Sequence, residues 1–322
     1  MYGVILDEDS LHPADLDLSQ IYKQLNNWKK YPITPNNKIL DRIADASVVL
    51  TNKVVLNAEI LQRSPSLKMI GILATGSNNI DLPAAKSLGI TVCNAVRYGT
   101  QSVVQHTFAL MLALCTRLFE FRHDINEGEW SKSPFFCLLT HQVQELHGKT
   151  LVIIGLGELG SGVANIAKAF GMTVMASCKS TEQEHTKNGI VKKPLTELLP
   201  IADFISLHCP LTAETHNIIN AEALRTMKPT AFLINCARGG LIDEAALIDA
   251  LKSGKIAGAA LDVLSHEPPP SNHILLAKDI PNLLLTPHSA WISREARQKL
   301  VDITAENIRQ FLNGTPQNVI NR

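Results

Sequence analysis

The spacing of apolar and polar positions divides the first hundred residues into short strands and helices. Apolar runs rich in β-branched residues predict strands at 2–6, 47–51, 68–73 and 90–94. Helix-like stretches lie between them, for example at 57–63 and 82–87. Alternating strands and helices indicate parallel strands joined by crossover helices. A long amphipathic tract then runs from Ser102 to about Glu127, with Gly128 predicted to end a single helix.

A second series of strands and helices begins at Lys149. Its apolar runs predict six strands, at 150–155, 173–177, 203–210, 231–237, 256–263 and 283–288. The helix that follows the fourth strand has Asp243 as its N-cap and Gly254 just past its end, and a last helix runs from about Ser293 to Leu312. Six strands make one complete doubly wound parallel sheet, and the first hundred residues make a smaller sheet of the same α/β class.

Composition narrows the classes of partner. The chain has 322 residues, which predicts about two domains, and its 30 basic residues balance 30 acidic ones. Nucleic acids and anionic membranes attract a concentrated positive field, so the zero net charge argues against both. The longest apolar tract, Phe108–Cys115, is too short to span a bilayer, and the first residues lack the basic segment of a signal peptide. The six cysteines show no CxxC pair or zinc-ligand spacing, so we expect buried free thiols, no metal and a soluble cytoplasmic protein.

The sequence GLGELG at 155–160 follows a predicted strand and opens a helix. In this context Gly155 supplies a tight turn, Gly157 lets the backbone approach a pyrophosphate, and Gly160 allows close packing of helix on strand. The helix N-terminus adds free N–H groups and the positive end of its dipole. The segment therefore predicts a dinucleotide site.

The end of the next predicted strand leaves the choice of dinucleotide open. An NAD site usually has Asp or Glu there to accept from the ribose hydroxyls, but this chain has Cys178 and Lys179, and its first carboxylate is Glu182. Lys179 and the neighbouring hydroxyl side chains could receive the 2′-phosphate of NADP, or Lys179 could point to solvent. The sequence does not decide between NAD and NADP.

Three polar residues end successive strands of the second series, where a doubly wound sheet places its ligands. They are Arg238, Glu267 and His288, spaced by about one helix–strand excursion each. Reduction of a small oxo acid requires a cation to bind the carboxylate and polarise the carbonyl, and an acid to protonate the oxygen. After a dinucleotide turn, this set favours hydride transfer to an oxo acid.

With these residues the chain resembles the D-isomer-specific 2-hydroxyacid dehydrogenase family. The matching segments are GLGELG (155–160), HCPLTAETHNIIN (208–220), the stretch from MKPTAFLINCARGG to GAALDV (227–263), HEPPP (266–270), TPHSAW (286–291), ATGSNNID (74–81) and NAVRYGTQSVVQHTFALML (94–112). The stretches YGTQSVVQHTFAL, WSKSPFFC and PHSAW are most similar to the glycerate dehydrogenase, or hydroxypyruvate reductase, branch.

The resemblance implies a role for each matched residue. Arg238 would bind the substrate carboxylate and carbonyl oxygen, His288 would be the acid/base, and Glu267 would hold His288 and favour its protonated form. The backbone N–H groups of Gly76 and Ser77 would bind the substrate carboxylate. Cofactor contacts are implied for Thr75, Gly155, Gly157, Glu158, Leu159, Gly160, Cys178, Lys179, Cys209, Cys236, Ala237, Arg238, Asp262, His288, Ser289, Ala290 and Trp291.

The resemblance also implies a domain order. A Rossmann cofactor domain, residues 99–290, would be inserted into a smaller flavodoxin-like substrate domain made of residues 1–98 and 291–322. The last helix would then return to the first sheet, from which it is distant in sequence. A homodimer is implied, formed through the long helix after Gly99 and the segment that follows it.

Other functions fit the same residues. D-Lactate, glyoxylate or a bulkier oxo acid could be the substrate, whereas the absence of extra basic residues near Gly76 or Arg238 disfavours a phosphorylated one. Corepressors of this family keep the same three residues but sense NADH and bind partner peptides. The lack of long disordered extensions favours an enzyme over a corepressor.

Overall fold

A computed structural model describes residues 1–178, 185–187 and 189–322 of the chain. The chain divides into two compact units, one made of residues 1–99 with 291–322 and the other of residues 100–290. The second unit is thus a continuous insertion, which the chain enters after Gly99 and leaves after Ala290.

The first unit is built on a five-stranded parallel sheet with the spatial order β2-β1-β3-β4-β5. Its strands are β1 (Tyr2–Ile5), β2 (Asn27–Lys30), β3 (Val48–Thr51), β4 (Met69–Ile72) and β5 (Thr91–Cys93). Its helices are α1 (Ser19–Tyr22), α2 (Ile39–Ile43), α3 (Ala58–Gln62), α4 (Leu82–Ser87) and, at the end of the chain, α12 (Arg294–Leu312). This strand order is that of flavodoxin-like folds, as predicted.

The last helix belongs to the first sheet. Leu300, Val301 and Ile308 of α12 are buried and pack with Ile5, Leu50 and other residues from one face of the sheet. Ser293 caps the helix by accepting from Ala296 N. One face of the first sheet is therefore covered in part by a segment that follows the whole insertion, beside the segment around α1.

The second unit is built on a sheet whose described strands number eight, in the order β13-β12-β11-β10-β6-β7-β9-β8. Its strands are β6 (Thr150–Ile154), β7 (Thr173–Cys178), β8 (His185–Lys187), β9 (Ile190–Pro194), β10 (Phe204–Leu207), β11 (Phe232–Asn235), β12 (Gly258–Leu261) and β13 (Leu283–Leu285). Its helices are α5 (Thr100–Cys115), α6 (Leu118–Asn126), α7 (Glu129–Lys132), α8 (Glu158–Ala169), α9 (Leu195–Leu198), α10 (Ala221–Thr226) and α11 (Glu244–Lys252). All pairs are parallel except β8 with β9. The order reverses between β6 and β10, which is the topological switch point of a Rossmann fold.

Four sequence expectations differ from the structure, and one of them is β8, an unpredicted strand paired with β9. The tract predicted as one helix breaks after Cys115, where Arg117 adopts a left-handed backbone with φ of 54°, and resumes as α6. The edge strand β2 was not predicted because its sequence, NWKK, is polar and mostly exposed. Strand β9 was missed because Lys192 and Lys193 interrupt its apolar run.

No single helix in the described part of the chain is long and apolar enough to cross a membrane. Helices α5 and α6 reach that length and composition only together, as a pair bent by 57°. Most residues of α5 are buried in the second unit.

Candidate active site

Each glycine of the turn between β6 and α8 avoids a different steric clash or leaves a different part of the backbone open. Gly155 has a φ of 99°, and a Cβ there would lie 2.6 Å from the backbone of His208 and Cys209. A Cβ on Gly160 would lie 2.2 Å from the carbonyl oxygen of Gly155, so this glycine lets helix and strand pack closely. A Cβ on Gly157 would meet nothing within 4 Å. The backbone at Gly157 is therefore open on the side where a ligand would approach.

The N-terminus of α8 fits a dinucleotide phosphate. Gly157 is the N-cap and offers no side chain to the free N–H groups of the first turn. Glu158 accepts a hydrogen bond from Thr100 Oγ1, which fixes the first residue of α8 against the first residue of α5. The turn lies at the switch point between β6 and β10, where doubly wound sheets bind dinucleotides.

A second observation at the same edge supports a bound ligand. His208 follows β10 and its Nε2 lies 2.8 Å from Ser206 Oγ, while its buried Nδ1 has no hydrogen-bond partner among the described residues. Burial lowers the pKa of His208 to about 4, so the ring is neutral. The turn and this unpaired nitrogen together fit a nicotinamide dinucleotide.

The position that reads the ribose is only half described. Cys178 ends β7 and is partly exposed, at the place where an NAD-specific site carries a carboxylate. Lys179 lies outside the described residues.

His288 and Glu267 form a hydrogen-bonded pair. Nδ1 of His288 donates to Oε2 of Glu267 across 2.6 Å, and Oε1 of Glu267 accepts from Leu264 N at 2.9 Å. About a third of each side chain in the pair is exposed. The pair can therefore exchange protons with a ligand or solvent while Glu267 fixes the orientation of the ring.

The backbone at His288 is held in an uncommon conformation by Asp262. His288 has a φ of 52°, in the left-handed region that only a few per cent of residues other than glycine adopt. The buried carboxylate of Asp262 accepts from Ser289 N at 2.8 Å and from Ala290 N at 2.9 Å. Thr286 donates its hydroxyl to the same carboxylate at 2.6 Å. Asp262 thus fixes the residues on both sides of His288.

Asp262 is ionised despite its burial. Burial alone would raise its pKa, but hydrogen bonds from His106, from Thr286 and from the backbone of Ala290 and Ser289 hold that pKa below the usual value. The family resemblance assigns Asp262 to cofactor contact, and that assignment stays a prediction. In the structure the Asp262 carboxylate accepts hydrogen bonds from residues on both sides of His288.

Arg238 follows β11 and keeps most of its guanidinium available. The hydrogen bond that it donates within the described chain runs from Nη1 to Ala237 O at 2.7 Å, which leaves its other N–H groups for a ligand. Buried Asn235 shapes the turn, accepting from Ala237 N and donating to Arg238 O. Sequence reasoning missed Asn235, although an amide at the end of an apolar strand is a detectable signal.

The strands β11, β12 and β13 are neighbours, so Arg238, Glu267 and His288 follow adjacent strands at one edge of the sheet. The chain near Arg238 also touches the chain leading to Glu267. A Cβ on Gly239 would lie 1.9 Å from the carbonyl carbon of Leu264, so only glycine fits. These contacts bring the sequence-predicted set into one region of the second unit.

Burial disfavours the thiolate at two cysteines of this region, Cys209 and Cys236. Burial raises the pKa of the Cys236 thiol to about 12 and raises that of Cys209 above its usual value. Cys236 packs in the core, so only its backbone is available to a cofactor. No group of three or more His, Cys, Asp or Glu suited to a metal ion occurs among the described residues.

In the first unit, the predicted substrate loop follows β4. Thr75 donates its hydroxyl to Ala95 O at 2.7 Å, and its own carbonyl accepts from Asn94 Nδ2 at 2.7 Å. These bonds fix the start of the loop and leave the N–H groups of Gly76 and Ser77 unbonded within the described chain. Trp291, at the start of the returning segment, packs edge-to-face on Tyr98 with ring centroids 6.3 Å apart.

Comparison with known proteins gives consistent matches. The sequence model described as "D-isomer specific 2-hydroxyacid dehydrogenase, NAD binding domain" matches residues 108–290. The chain is 41% identical over 320 residues to glycerate dehydrogenase of Methylorubrum extorquens, covering 98% of each protein. It is 39% identical to hydroxypyruvate reductase of Blautia hydrogenotrophica, covering 99% of each. The structure resembles that of an acyclic imino acid reductase in complex with NADPH and D-Arg, with a TM-score of 0.87 and 31% identity over 99% of this chain and 100% of the other.

Proposed function

The chain belongs to the D-isomer specific 2-hydroxyacid dehydrogenase family, and we propose that it interconverts hydroxypyruvate and D-glycerate. It is a 2-hydroxyacid oxidoreductase that uses a nicotinamide dinucleotide. Glycerate dehydrogenase and hydroxypyruvate reductase are names of the two directions of one reaction, and relatives with both names match almost the full length of this chain. That agreement supports this substrate over D-lactate, and neither relative is described as a corepressor.

The observation that carries the mechanism is the His288–Glu267 pair at the sheet edge shared with Arg238. The reduced cofactor, when bound, supplies a hydride to C2 of the oxo acid. Arg238 binds the substrate carboxylate and carbonyl oxygen through its free N–H groups and stabilises the negative charge that develops on that oxygen. Protonated His288 then donates its Nε2 proton to the oxygen, which yields the hydroxyl group and a neutral ring.

Glu267 keeps this proton donor ready. Its negative charge favours the imidazolium, and its hydrogen bond to Nδ1 directs Nε2 away from the pair. In the oxidation of D-glycerate the neutral ring accepts the proton of the hydroxyl group as hydride leaves C2. The same pair therefore works in both directions, with opposite requirements for its protonation state.

The other assigned residues have binding roles. We assign the dinucleotide to residues 99–290 and the remaining contacts with the substrate carboxylate to the N–H groups of Gly76 and Ser77. These N–H groups are unbonded within the described chain and follow a strand end, as ligand-binding loops in doubly wound sheets do. Domain 1–98 with 291–322 would thus be the substrate domain.

A homodimer and a cytoplasmic location complete the proposal. The segment after α7 exposes a run of apolar side chains, with Phe135 68%, Phe136 91% and Leu139 86% exposed. Exposed apolar patches of this kind mark contacts with other proteins. Free thiols at all six cysteines fit a reducing compartment.

A turnover assay tests the function directly. Purified protein is given hydroxypyruvate, glyoxylate and pyruvate in turn, each with NADH and with NADPH, and kcat/KM is measured for every pair. We expect the largest kcat/KM with hydroxypyruvate. Preference for pyruvate would move the proposal to a D-lactate dehydrogenase, and binding of NADH without turnover of any oxo acid would contradict an enzymatic role.

A further inference from the structure

The loop that carries Glu267 is exposed, yet hydrogen bonds to helix α11 hold it in place. Ser265, His266, Glu267 and Pro268 are all exposed, and an unsupported loop of this kind samples many conformations. Glu267 must nevertheless stay within hydrogen-bond distance of His288. The residues that fix this loop therefore bear on the chemistry.

The anchor is Glu244, the first residue of α11. Its Oε1 accepts from Ser265 N at 2.7 Å and its Oε2 accepts from Ser265 Oγ at 2.8 Å, so one carboxylate binds both polar groups of one loop residue. Only 11% of the Glu244 side chain is exposed. Hydrogen bonds to a charged acceptor are stronger than neutral ones, and here they attach the loop two residues before Glu267.

His273 holds the carboxylate of Glu244 from the other side. Its Nε2 lies 3.4 Å from Glu244 Oε2, and only 8% of its side chain is exposed. Its Nδ1 accepts from Leu275 N at 3.3 Å, which places the ring proton on Nε2, facing Glu244. Two carboxylate–imidazole pairs thus contact this part of the chain: an accessible pair, Glu267 with His288, and a mostly buried pair, Glu244 with His273.

We propose that Glu244 is a positioning residue for the reaction, which acts by fixing Ser265 so that Glu267 stays paired with His288. The inference rests on the proposed function of that pair. Glu244 acts through geometry, because its hydrogen bonds within the described chain go to Ser265 and its imidazole partner is His273. Without it, Glu267 spends less time on His288, and the protonated ring is less favoured.

The pH profile of oxo-acid reduction separates this role from a purely structural one. Reduction requires protonated His288, so its rate falls as pH rises. If the Glu267 carboxylate is removed or moves away from Nδ1 of His288, the fall in rate should occur at lower pH. Among the described residues, the titratable and charged groups near His288 include Glu267 on the ring, Arg238 at the same sheet edge, and Asp262, with its partner His106, next to the backbone. Variants at Glu244 leave Asp262 and His106 unchanged, so a shift reports on Glu267.

The experiment compares Glu244→Ala, Glu267→Gln and the double variant. Glu244→Ala should lower kcat/KM for the oxo acid about tenfold to a hundredfold near neutral pH and move the falling limb to lower pH, with less than about a twofold change in NADH affinity. The falling limb of the double variant should lie where that of Glu267→Gln alone lies, because its position depends on the Glu267 charge that both variants lack. Additive shifts of the limb in the double variant would overturn the inference.

Glu244→Gln distinguishes geometry from charge. The glutamine oxygen can accept from Ser265 N while its amide group donates to Ser265 Oγ, so both bonds to the loop stay, and only the charge and the acceptor that faces His273 Nε2 are lost. We expect a nearly wild-type pH profile for this variant. A shift as large as that of Glu244→Ala would show that the charge of Glu244 acts directly on His288, and would contradict the positioning role.

Glu222→Ala is the matched control. Glu222 also lies in the first turn of a helix, α10, but it is exposed and has no hydrogen bond or ion pair in the described chain. It should leave the profile unchanged. If Glu244→Ala does not fold, Ser265→Ala, which loses one of the two anchoring bonds, should still move the limb in the same direction by less.

Hydrogen exchange of the loop amides gives a readout besides activity. Exchange at residues 264–267 should be faster in Glu244→Ala and unchanged in Glu244→Gln. Slow exchange together with an unshifted limb in Glu244→Ala would overturn the inference while leaving the proposed function intact. A wild-type profile in Glu267→Gln would instead contradict the proposed function of the pair, and the inference with it.

Discussion

Alanine substitutions at two glycines of the same turn should affect different properties, cofactor binding in one case and folding in the other. At Gly157 the φ of −85° suits any residue, and a Cβ meets nothing within 4 Å, so the unliganded protein accommodates alanine. At Gly160 a Cβ would lie 2.2 Å from Gly155 O and 2.9 Å from Ile153 Cγ2. Gly157→Ala should therefore impair cofactor binding alone, and Gly160→Ala should impair folding.

The magnitudes follow from these distances. Gly157→Ala restricts the unfolded chain, which stabilises by about 0.4–1 kcal/mol, but alanine is a poorer N-cap than glycine by a similar amount, so Tm should change by less than about 4 °C. Its methyl group occupies the space through which a pyrophosphate reaches the backbone N–H groups. Loss of one hydrogen bond to a charged phosphate costs about 1.5–3 kcal/mol, so the Kd for NADH should rise at least about tenfold. Gly160→Ala forces the backbone apart, which costs about 1–3 kcal/mol or more and lowers Tm by about 2–12 °C.

Calorimetric unfolding without cofactor and titration calorimetry with NADH measure the two effects separately. Wild-type NADH affinity in Gly157→Ala would refute the placement of the pyrophosphate at this turn. A Tm of Gly157→Ala well below that of Gly160→Ala would contradict the open space at Gly157 and the close contact at Gly160.

Three further substitutions test other parts of the site. Arg238→Lys keeps the charge but loses the planar fork, so kcat/KM should fall by roughly two to four decades while the Kd for NADH barely changes. A loss confined to NADH affinity would contradict the assignment of Arg238 to the substrate. Cys178→Asp should raise the ratio of kcat/KM with NADH to kcat/KM with NADPH, because the carboxylate accepts from the ribose hydroxyls and repels a 2′-phosphate. An unchanged ratio would show that the end of β7 does not contact the ribose. Phe136→Ser combined with Leu139→Ser should shift the protein from dimer to monomer in light scattering, and an unchanged mass would exclude this surface as the interface.

Much of the fold was predictable because its signals are local. Helix α11 begins after Asp243, whose side chain accepts from Ala246 N as an N-cap should, and it ends before Gly254. The break at Arg117 was not predictable in the same way. The apolar pattern continues through it, while the turn depends on Arg117 reaching Asn282 and Glu120, of which Asn282 is far away in sequence.

The same distinction applies to the site. Arg238, Glu267 and His288 could be identified because each ends an apolar run that predicts a strand. The role of Asp262 in fixing the chain around His288 could not be predicted, since its carboxylate binds backbone N–H groups, which have no sequence signature. Glu244 likewise looks like an ordinary acidic residue in the first turn of a helix until its contact with Ser265 is known.

The insertion also sets an order of assembly during synthesis. A chain leaving the ribosome usually completes its first domain first, but here the segment up to Gly99 lacks the helix that contributes Leu300 and Val301 to its core. At about 5–20 residues per second, synthesis of residues 100–290 takes roughly 10–40 s, during which one face of the first sheet is only partly covered. The inserted unit can fold in that interval from its own continuous segment. Residues of the first sheet such as Ile5 and Leu50 are therefore among the last to be fully buried, and this interval is when the nascent chain most needs a chaperone.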